Sequence, residues 1–358
     1  MLVNKLHIDG VLLFGILLLL SVGVFVVFSA SGQDWGLIQR HLLRICISLV
    51  VLFVVAQIPT DALKRWSPYI FAIGICSLIL VLSLGDVGRG AQRWLDFGVI
   101  RFQPSELMKL AVPMAVVWFL TLKPLPPRLP SLIMALVLTL VPVLLVIMQP
   151  DLGTAILLVV SGLLAVFIAG VRWRHLFMLA GIVAGVAPFL WFRLHSYQQD
   201  RIITMFDPWA DPMGSGYHII QSQIAVGSAG IAGKGWLQGT QSQLEFIPER
   251  STDFIFAVFA EEFGLIGTIV LMIIYTFVIG RCLFLAYRVQ DSYARLLVGS
   301  LALTFFFYVF VNIAMVTGVL PVVGIPLPLI SYGGTSMVTL MAAFGIIMSA
   351  CTHKHLMR

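Results

Sequence analysis

A short run at residues 102–109 carries the first side chains that could do chemistry, Phe-Gln-Pro-Ser-Glu-Leu-Met-Lys. Its proline is typical of the first turn of a helix, and this places Glu106 near the positive helix end, where negative charge is favoured. Lys109 follows three residues later on the same face, so the two side chains can form an ion pair. One interpretation is a structural pair that fixes helix packing. The other is a cation that faces a pyrophosphate, oriented by Glu106, with Arg101 and Arg93 adding positive field.

A second candidate is Asp151, in the motif Gln-Pro-Asp-Leu-Gly-Thr at residues 149–154. This aspartate opens an apolar stretch after a very tight turn, and an Asp at such a position is first of all a helix cap. The sequence leaves open a second interpretation, in which Asp151 lies in the wall of a polar cavity.

A third candidate is Asp253, near the end of the motif Leu-Glu-Phe-Ile-Pro-Glu-Arg-Ser-Thr-Asp-Phe at residues 244–254. Thr252 or Asp253 can cap the helix that follows, with Arg250 close by. That helix carries two adjacent glutamates in its second and third turns, and an aqueous region beside it would explain both. The combination favours a functional role for Asp253 over capping alone.

The fourth candidate segment, residues 320–336, is uncharged and rich in proline and glycine. Non-helical backbone at membrane depth is tolerated only where protein or water covers it, so one interpretation is a loop that dips back into a helix bundle. Ser331 and the residues that follow it would then expose hydroxyl and backbone N–H groups near the outer surface. The other interpretation is an ordinary turn at the membrane interface.

Composition indicates which kind of protein must position these side chains. Of the 358 residues, 60% are hydrophobic and 11% are charged, whereas a soluble domain typically has about 25% charged residues. Many apolar runs reach the roughly 20 residues that a membrane span requires. The net charge of +6 does not indicate nucleic-acid binding, because the basic residues are scattered singly between apolar runs, a pattern that sets membrane orientation. The expected fold class is an all-α polytopic membrane protein.

The apolar runs predict about ten membrane helices, near residues 11–30, 40–58, 68–84, 104–121, 131–149, 152–170, 175–192, 254–280, 295–319 and 334–351. Two long connections stand apart, at 85–103 and 193–252, and long loops in a bundle are often functional. We expect short helices in the second loop, one of them at 216–229. The sequence shows no internal repeat, so we expect a single integral membrane domain over 1–358.

An even number of spans places both chain ends on one side of the membrane. The segments on that side hold twelve Lys or Arg residues and three acids, while the short turns at 150–152 and 320–333 on the other side hold no Lys or Arg. Because Lys and Arg accumulate in cytoplasmic loops, both termini are predicted to be cytoplasmic. The large loop at 193–252 and the four candidate segments then lie at the outer face.

Together, the motifs FQPSE with Lys109, QPDLGT, PERSTDFIFAVFAEEFG and PVVGIPLPLISYGG strongly resemble the SEDS family (shape, elongation, division and sporulation) of peptidoglycan glycosyltransferases, over nearly the whole chain. The segments GAQRWLDFGVIRFQPSE and GTQSQLEFIPER are more similar to the elongation members than to the division members. The resemblance implies a polymerase that joins lipid II, an undecaprenyl-pyrophosphate disaccharide-pentapeptide, into glycan strands. It would act at the outer face of the bacterial inner membrane, in cell elongation and the maintenance of rod shape.

The resemblance also implies roles for particular residues. Asp253 matches the essential aspartate of the family. Glu106 and Lys109 match its buried acid–base pair, and Asp151 matches another functionally important acid. One departure is Ser251, where many relatives have His, so a titratable group near the aspartate is missing.

A mechanism follows from the substrate that the resemblance implies. The donor sugar is α-linked and the product bond is β, so the reaction inverts and needs one base and a stabilised leaving group. Asp253 could deprotonate the acceptor hydroxyl, hold a metal or orient the acceptor, and the sequence leaves these three roles open. Lys109, Arg101 or a divalent cation (Mg or Mn) could neutralise the pyrophosphate. No tightly bound cofactor is expected.

Partners and alternatives complete the expectations. The family works with a class B penicillin-binding protein of the penicillin-binding protein 2 type, so such a partner is implied, with other elongation-complex membrane proteins as neighbours. One alternative is a flippase for the lipid-linked precursor, although transporters usually show related halves, which this sequence lacks. Another is a non-catalytic scaffold, which would not need Asp253, since a neutral Asn caps a helix equally well.

Overall fold

Helices make up most of the chain, as expected from the apolar runs. The computed structural model describes residues 7–88, 91–96, 101–192, 196–212, 214, 216–244 and 246–352. The helices within these residues are α1 (Gly10–Ala30), α2 (Trp35–Ala56), α3 (Thr60–Leu84), α4 (Pro104–Thr121), α5 (Leu129–Met148), α6 (Leu152–Ile168), α7 (Trp173–Trp191), α8 (Ser196–Phe206), α9 (Tyr217–Ser228), α10 (Thr240–Gln243), α11 (Ile255–Arg288), α12 (Ser292–Val316) and α13 (Thr335–Thr352). Ten of them coincide with the ten predicted helices, and α9 coincides with the short helix predicted at 216–229, so the all-α class is confirmed.

Length and composition make seven of the described helices able to cross a membrane. These are α1, α2, α3, α5, α11, α12 and α13, while α6 is apolar but shorter. Their outward faces carry large apolar side chains that are exposed, such as Phe14, Phe25 and Ile73. A water-soluble protein rarely exposes an apolar surface this extensive, so lipid is the solvent in which this surface is stable.

The two largest differences from the predicted helix boundaries are at α3 and α11. Helix α3 begins at Thr60 instead of residue 68, and Pro68 lies inside it. Proline is tolerated within membrane helices because neighbouring groups can satisfy the backbone carbonyl that it leaves unpaired, so Pro68 was a poor start signal here. Helix α11 continues to Arg288, beyond the predicted end at 280, and its two parts meet at Gly264, whose φ of +65° suits glycine.

The first long loop contains a small sheet that the sequence analysis missed. Three short strands, β1 (Asp86–Gly88), β2 (Ala91–Asp96) and β3 (Arg101–Phe102), pair in that order, each antiparallel to its neighbour. Strand β3 leads directly into α4, so the sheet fixes the chain just before the pair predicted at Glu106 and Lys109.

Helix α12 lies at the centre of the bundle. It packs against α4, α6, α11 and α13. In its most apolar 18-residue stretch 72% of the residues are buried, compared with 22% in α3. The helices around it pair with each other, α2 with α13, α3 with α4, and α1 with α11. A side chain on α12 can therefore contact several elements at once, which makes this helix the natural support for a site.

The second long loop is attached to the bundle at several points. Ser222 on α9 donates from Oγ to the carbonyl of Val316 at 2.9 Å, and Trp236 donates from Nε1 to the carbonyl of Phe25 at 3.3 Å. The end of this loop enters α11, so its position influences where Asp253 lies.

Candidate active site

A cavity of about 350 Å³ brings together four of the candidate residues, Glu106, Lys109, Asp151 and Ser331, whereas Asp253 and Arg250 are not among the residues that line it. Its walls come from α4, α6, α12 and α13, from strand β2 and from the connection that precedes α13. Polar and charged residues in the wall are Arg93, Gln103, Glu106, Lys109, Asp151, Thr154, Thr304, Tyr308, Ser331, Thr335, Ser336 and Thr339. The loop predicted to dip back into the bundle does so, since residues from 324 to 331 line the same cavity.

The ion pair predicted on α4 forms. Lys109 Nζ lies 2.6 Å from Glu106 Oε1, and both side chains are close to fully buried. The ammonium also lies 5.5 Å from the ring centroid of Tyr308, a distance typical of a cation–π contact. Charged groups in a bundle interior need such partners, so this cluster presents a compensated cation to the cavity.

Asp151 combines the two interpretations that the sequence left open. Its carboxylate accepts from Thr154 N at 3.2 Å and from Thr154 Oγ1 at 3.0 Å, which caps α6. Gln103 Nε2 donates at 3.3 Å to Asp151 Oδ2, the oxygen that also accepts from Thr154 Oγ1. The residue lines the cavity as well, so capping and a position in the cavity wall are compatible.

Two arginines were expected to add positive field near the pair on α4. Arg93 donates to the carbonyl groups of Gln149 and Pro150, so it attaches the sheet to the turn before α6 while it lines the cavity. The side chain of Arg101 lies outside the described part of the structure, and its role stays a prediction.

Asp253 is not the cap of α11, so that prediction is wrong. The N-cap position is held by Phe254, with no side-chain cap hydrogen bond. A turn in which Phe254 N donates to the carbonyl of Glu249 at 3.3 Å delays the helix start by one residue. Thr252, the other predicted cap, directs its hydroxyl back to Glu249.

The carboxylate of Asp253 lies against Gly324, a residue of the cavity wall. A Cβ built on Gly324 would be 3.4 Å from Asp253 Oδ2, and Gly324 lines the cavity. Gly324 has a φ of +73°, a conformation that side chains other than glycine rarely adopt. Glycine at this position therefore lets the loop backbone approach the carboxylate closely.

Three successive carbonyl groups before α11 are held by donors from elsewhere in the fold. The carbonyl of Ser251 accepts from Tyr332 N at 2.9 Å, and that of Thr252 accepts from Ser331 Oγ at 2.6 Å. The carbonyl of Asp253 accepts from Asn312 Nδ2 at 2.8 Å. The hydroxyl of Ser331, expected to be exposed near the outer surface, is instead buried and supports the backbone next to Asp253.

Both glutamates of α11 are buried, so the aqueous region expected around them is wrong, and Glu262 Oε2 has no hydrogen-bond partner among the described residues. Glu261 is fully buried and accepts from Lys234 Nζ at 2.7 Å, Gln241 N at 2.9 Å and Ser242 N at 3.2 Å. These donors compensate for the lost hydration of the carboxylate. Its neighbour, also buried, accepts from the hydroxyl of Ser29.

The same network receives Arg250. Its Nη1 donates to the carbonyl of Ser242, a residue of α10 whose N–H is bound by Glu261. The arginine predicted next to Asp253 therefore also joins the end of the large loop to the start of α11.

Metal binding finds little support in this geometry. Within the described residues, no three His, Cys, Asp or Glu side chains lie close enough to hold a metal ion. Asp151 and Glu106, the acids in the cavity wall, are already bonded to Thr154 and Lys109. The donors in the described part of the cavity wall therefore do not form a cation site.

The sequence analysis missed a polar stripe on α12. Ser300, Thr304, Tyr308 and Asn312 follow one another at intervals of four residues in an otherwise apolar helix. Residues four apart share a helix face. Thr304 and Tyr308 line the cavity, so this interval was a signal that could have identified the helix face directed to the site.

These features define a polytopic membrane protein whose buried polar groups converge on one cavity, as in membrane proteins that handle charged or amphipathic molecules. A family model described as the cell cycle protein FtsW/RodA/SpoVE matches residues 5–356. The chain belongs to this family, which is the SEDS family inferred from its motifs.

Curated relatives identify the branch of the family. The chain is 51% identical over 355 residues to the peptidoglycan glycosyltransferase MrdB of Escherichia coli (strain K12), covering 99% of this chain and 96% of that protein. It is 35% identical to the probable peptidoglycan glycosyltransferase FtsW of Coxiella burnetii, covering 92% of each. Because MrdB is RodA, the predicted similarity to the elongation member is confirmed.

Solved structures show the same fold. A structure reported for the coordination of polymerization and crosslinking by a peptidoglycan synthase complex has a TM-score of 0.85 at 31% identity, covering 97% of this chain and 98% of that one. The rod shape determining protein RodA of Thermus thermophilus has a TM-score of 0.72 at 28% identity, covering 95% of each chain. At these identities the likeness extends to the family as well as the fold.

Proposed function

We propose that this protein is a peptidoglycan glycosyltransferase that polymerises lipid II into glycan strands by inverting transfer at the outer face of the inner membrane. The observation that carries the proposal is the placement of Asp253, whose carboxylate lies against Gly324 of the cavity-lining loop. The name of the MrdB relative supports the reaction class.

Asp253 acts as the general base in this mechanism. The carboxylate takes the proton from the 4-hydroxyl of the acceptor disaccharide as that oxygen attacks C1 of the donor sugar. The bond between C1 and the pyrophosphate oxygen breaks at the same time, and its electron pair leaves with undecaprenyl pyrophosphate. A single displacement inverts the configuration at C1 and requires no covalent intermediate.

The leaving group needs a positive environment. Lys109 is the cation of the cavity wall, and Glu106 holds it at 2.6 Å in a fixed orientation. A cation that is already oriented requires little reorganisation as negative charge develops on the pyrophosphate. The same pair therefore serves both helix packing and transition-state stabilisation.

Orientation and partner follow from the same proposal. Both termini are cytoplasmic, and the cavity opens toward the periplasm. Asp9 at the start of α1 pairs with Arg281 near the end of α11 at 2.7 Å, which supports placing these two helix ends on one side. A class B penicillin-binding protein crosslinks the strands as partner, and the similarity to a chain from a synthase complex supports this assignment.

Polymerisation of purified lipid II tests the proposal. The full chain is reconstituted with its penicillin-binding partner, whose own active site is blocked by a β-lactam so that products stay linear. Wild type is expected to form glycan strands, and an equally well folded Asp253→Asn variant is expected to form none. Equal polymerisation by both forms would show that the site is misassigned.

The same experiment separates the alternatives. A chain that makes no strands but moves labelled lipid II across vesicles is a flippase. A chain that does neither, while its partner gains activity only in its presence, is a scaffold.

A further inference from the structure

We propose that Asn312 is a positioning residue for glycosyl transfer, which holds the main chain of Asp253 against the cavity wall. The inference rests on the proposed function. Asn312 is fully buried on α12. Its Nδ2 donates to the carbonyl of Asp253 at 2.8 Å and to the carbonyl of Ile325 at 2.6 Å. One amide group thus joins the candidate base to the loop that lines the cavity.

The chemistry of the amide explains why asparagine suits this position. A primary amide carries two N–H donors on one nitrogen, and both point to carbonyl groups from separate segments. The other end of the amide, Oδ1, is buried and has no partner among the described residues. A buried acceptor without a partner is unfavourable. The orientation of the Asn312 amide is therefore explained by the two hydrogen bonds that its Nδ2 donates.

The carbonyl of Ile325 matters because of its neighbour. Gly324, the preceding residue, is the one against which the carboxylate of Asp253 lies, with 3.4 Å between Oδ2 and the position of a Cβ. Asn312 therefore fixes both sides of this contact, the aspartate backbone and the loop backbone. Errors of about 1 Å in the placement of a reacting group can reduce a rate roughly 100-fold.

The rest of the stripe on α12 shows that this contact is unusual for the helix. The hydroxyls of Ser300 and Thr304 bond to carbonyl groups of α12 itself, at 2.9 Å and 2.7 Å. Tyr308 contacts Lys109 on α4, and Asn312 donates to main-chain carbonyl groups of two other segments. Its function is therefore tertiary and not a local helix contact.

The test compares two substitutions with a matched control. Asn312→Ala removes both donors, and Asn312→Asp keeps the shape of the side chain but replaces the donor group by oxygen. Ser222→Ala is the control, because Ser222 is also fully buried and also bonds α12 to another element, at 2.9 Å to the carbonyl of Val316, without lining the cavity. All three are assayed as full chains with the β-lactam-blocked partner.

Positioning predicts a specific kinetic result. For Asn312→Ala we expect kcat to fall roughly 100-fold while KM for lipid II stays unchanged, and Asn312→Asp should lose at least as much. Ser222→Ala should keep the wild-type kcat. Wild-type kcat in either Asn312 variant, or a parallel loss in the Ser222 control, would overturn the proposal.

A second readout does not depend on activity. Hydrogen–deuterium exchange of the peptide at 250–256 should be faster in Asn312→Ala by roughly tenfold and unchanged in Ser222→Ala. Exchange that is unchanged in Asn312→Ala refutes the contact. A wild-type chain that makes no strands refutes the proposed function instead, so the two failures can be told apart.

Discussion

Asp151 and Asp253 come from the same kind of sequence and are used differently. Each follows a turn at the predicted outer face and precedes a helix, so each can be interpreted as a cap. Asp151 caps α6 through two contacts with Thr154. Asp253 lies one residue before the N-cap of α11, and its carboxylate lies against Gly324 of the cavity-lining loop.

Hydrogen bonds from the surrounding fold reach the side chain of Asp151 and the main chain of Asp253. For Asp151 the fold binds the side chain. For Asp253 the fold binds the main chain, through Asn312 at its own carbonyl and Ser331 at the preceding one. The main chain at Asp253 is therefore fixed by two other segments, which keeps the residue beside the loop that lines the cavity.

The largest expected effect concerns a third acid, Glu106, whose side chain is also held. Lys109→Met leaves this buried carboxylate without its counter-ion, and breaking a buried pair in this way typically costs about 3–5 kcal/mol. Glu106 Oε2 already has no partner among the described residues. Thermal unfolding of the purified chain in detergent should show a large drop.

A double variant separates structure from chemistry in the same pair. Glu106→Gln combined with Lys109→Met removes both charges and should restore most of the lost stability, while polymerisation stays low because the cavity lacks its cation. Recovery of activity together with stability would mean that the pair only fixes helix packing.

A smaller effect is expected at Asp151. Replacing a capping Asp by Ala costs about 1 kcal/mol, while Asn caps nearly as well. Asp151→Ala should therefore lower the unfolding midpoint and Asp151→Asn should leave it close to wild type. If both substitutions destabilise equally, the negative charge facing Gln103 matters more than the cap, and the contrast with Asp253 weakens.

The smallest effect concerns Asp9, an acid far from the cavity. Burial raises the pKa of Asp9, but hydrogen bonds from Arg281 and the backbone lower it by more, so the net pKa lies below its usual 3.8. A lowered folded pKa means that the stabilisation is present above the unfolded pKa and is lost as pH falls through the folded value.

Asp9→Asn tests this dependence. At pH 7 the variant should be less stable by about 1 kcal/mol or less, since partly exposed pairs contribute little. The difference from wild type should close in acid, below pH ~4. A difference that persists unchanged at low pH would show that the hydrogen-bond geometry matters and the charge does not.

The helices could be predicted from sequence because each membrane span requires its own run of about 20 apolar residues. The positions of the apolar runs predicted ten helices that are found in the structure. The Gly- and Pro-rich segment at 320–333 indicated the loop that enters the bundle. The start of α3 was missed because Pro68 signals a helix start in water more reliably than in a membrane.

The site was harder to predict where it depends on contacts between distant segments. The pair of Glu106 and Lys109 was predictable because both residues lie on one helix. The burial of Glu261 depends on donors about 20 residues earlier in a loop, at Gln241 and Ser242, and no local pattern shows them. The role of Asn312 depends on a contact 59 residues away in sequence.

The most direct test of the role of Asp253 is to measure the polymerisation rate and the thermal midpoint side by side for Asp253→Asn and Asp151→Ala. We expect Asp253→Asn to keep the wild-type midpoint and to make no glycan strands, while Asp151→Ala unfolds at a lower temperature. Strand synthesis by a folded Asp253→Asn chain, or loss of its stability, would contradict the claim that this aspartate is held for the reaction and not for the fold.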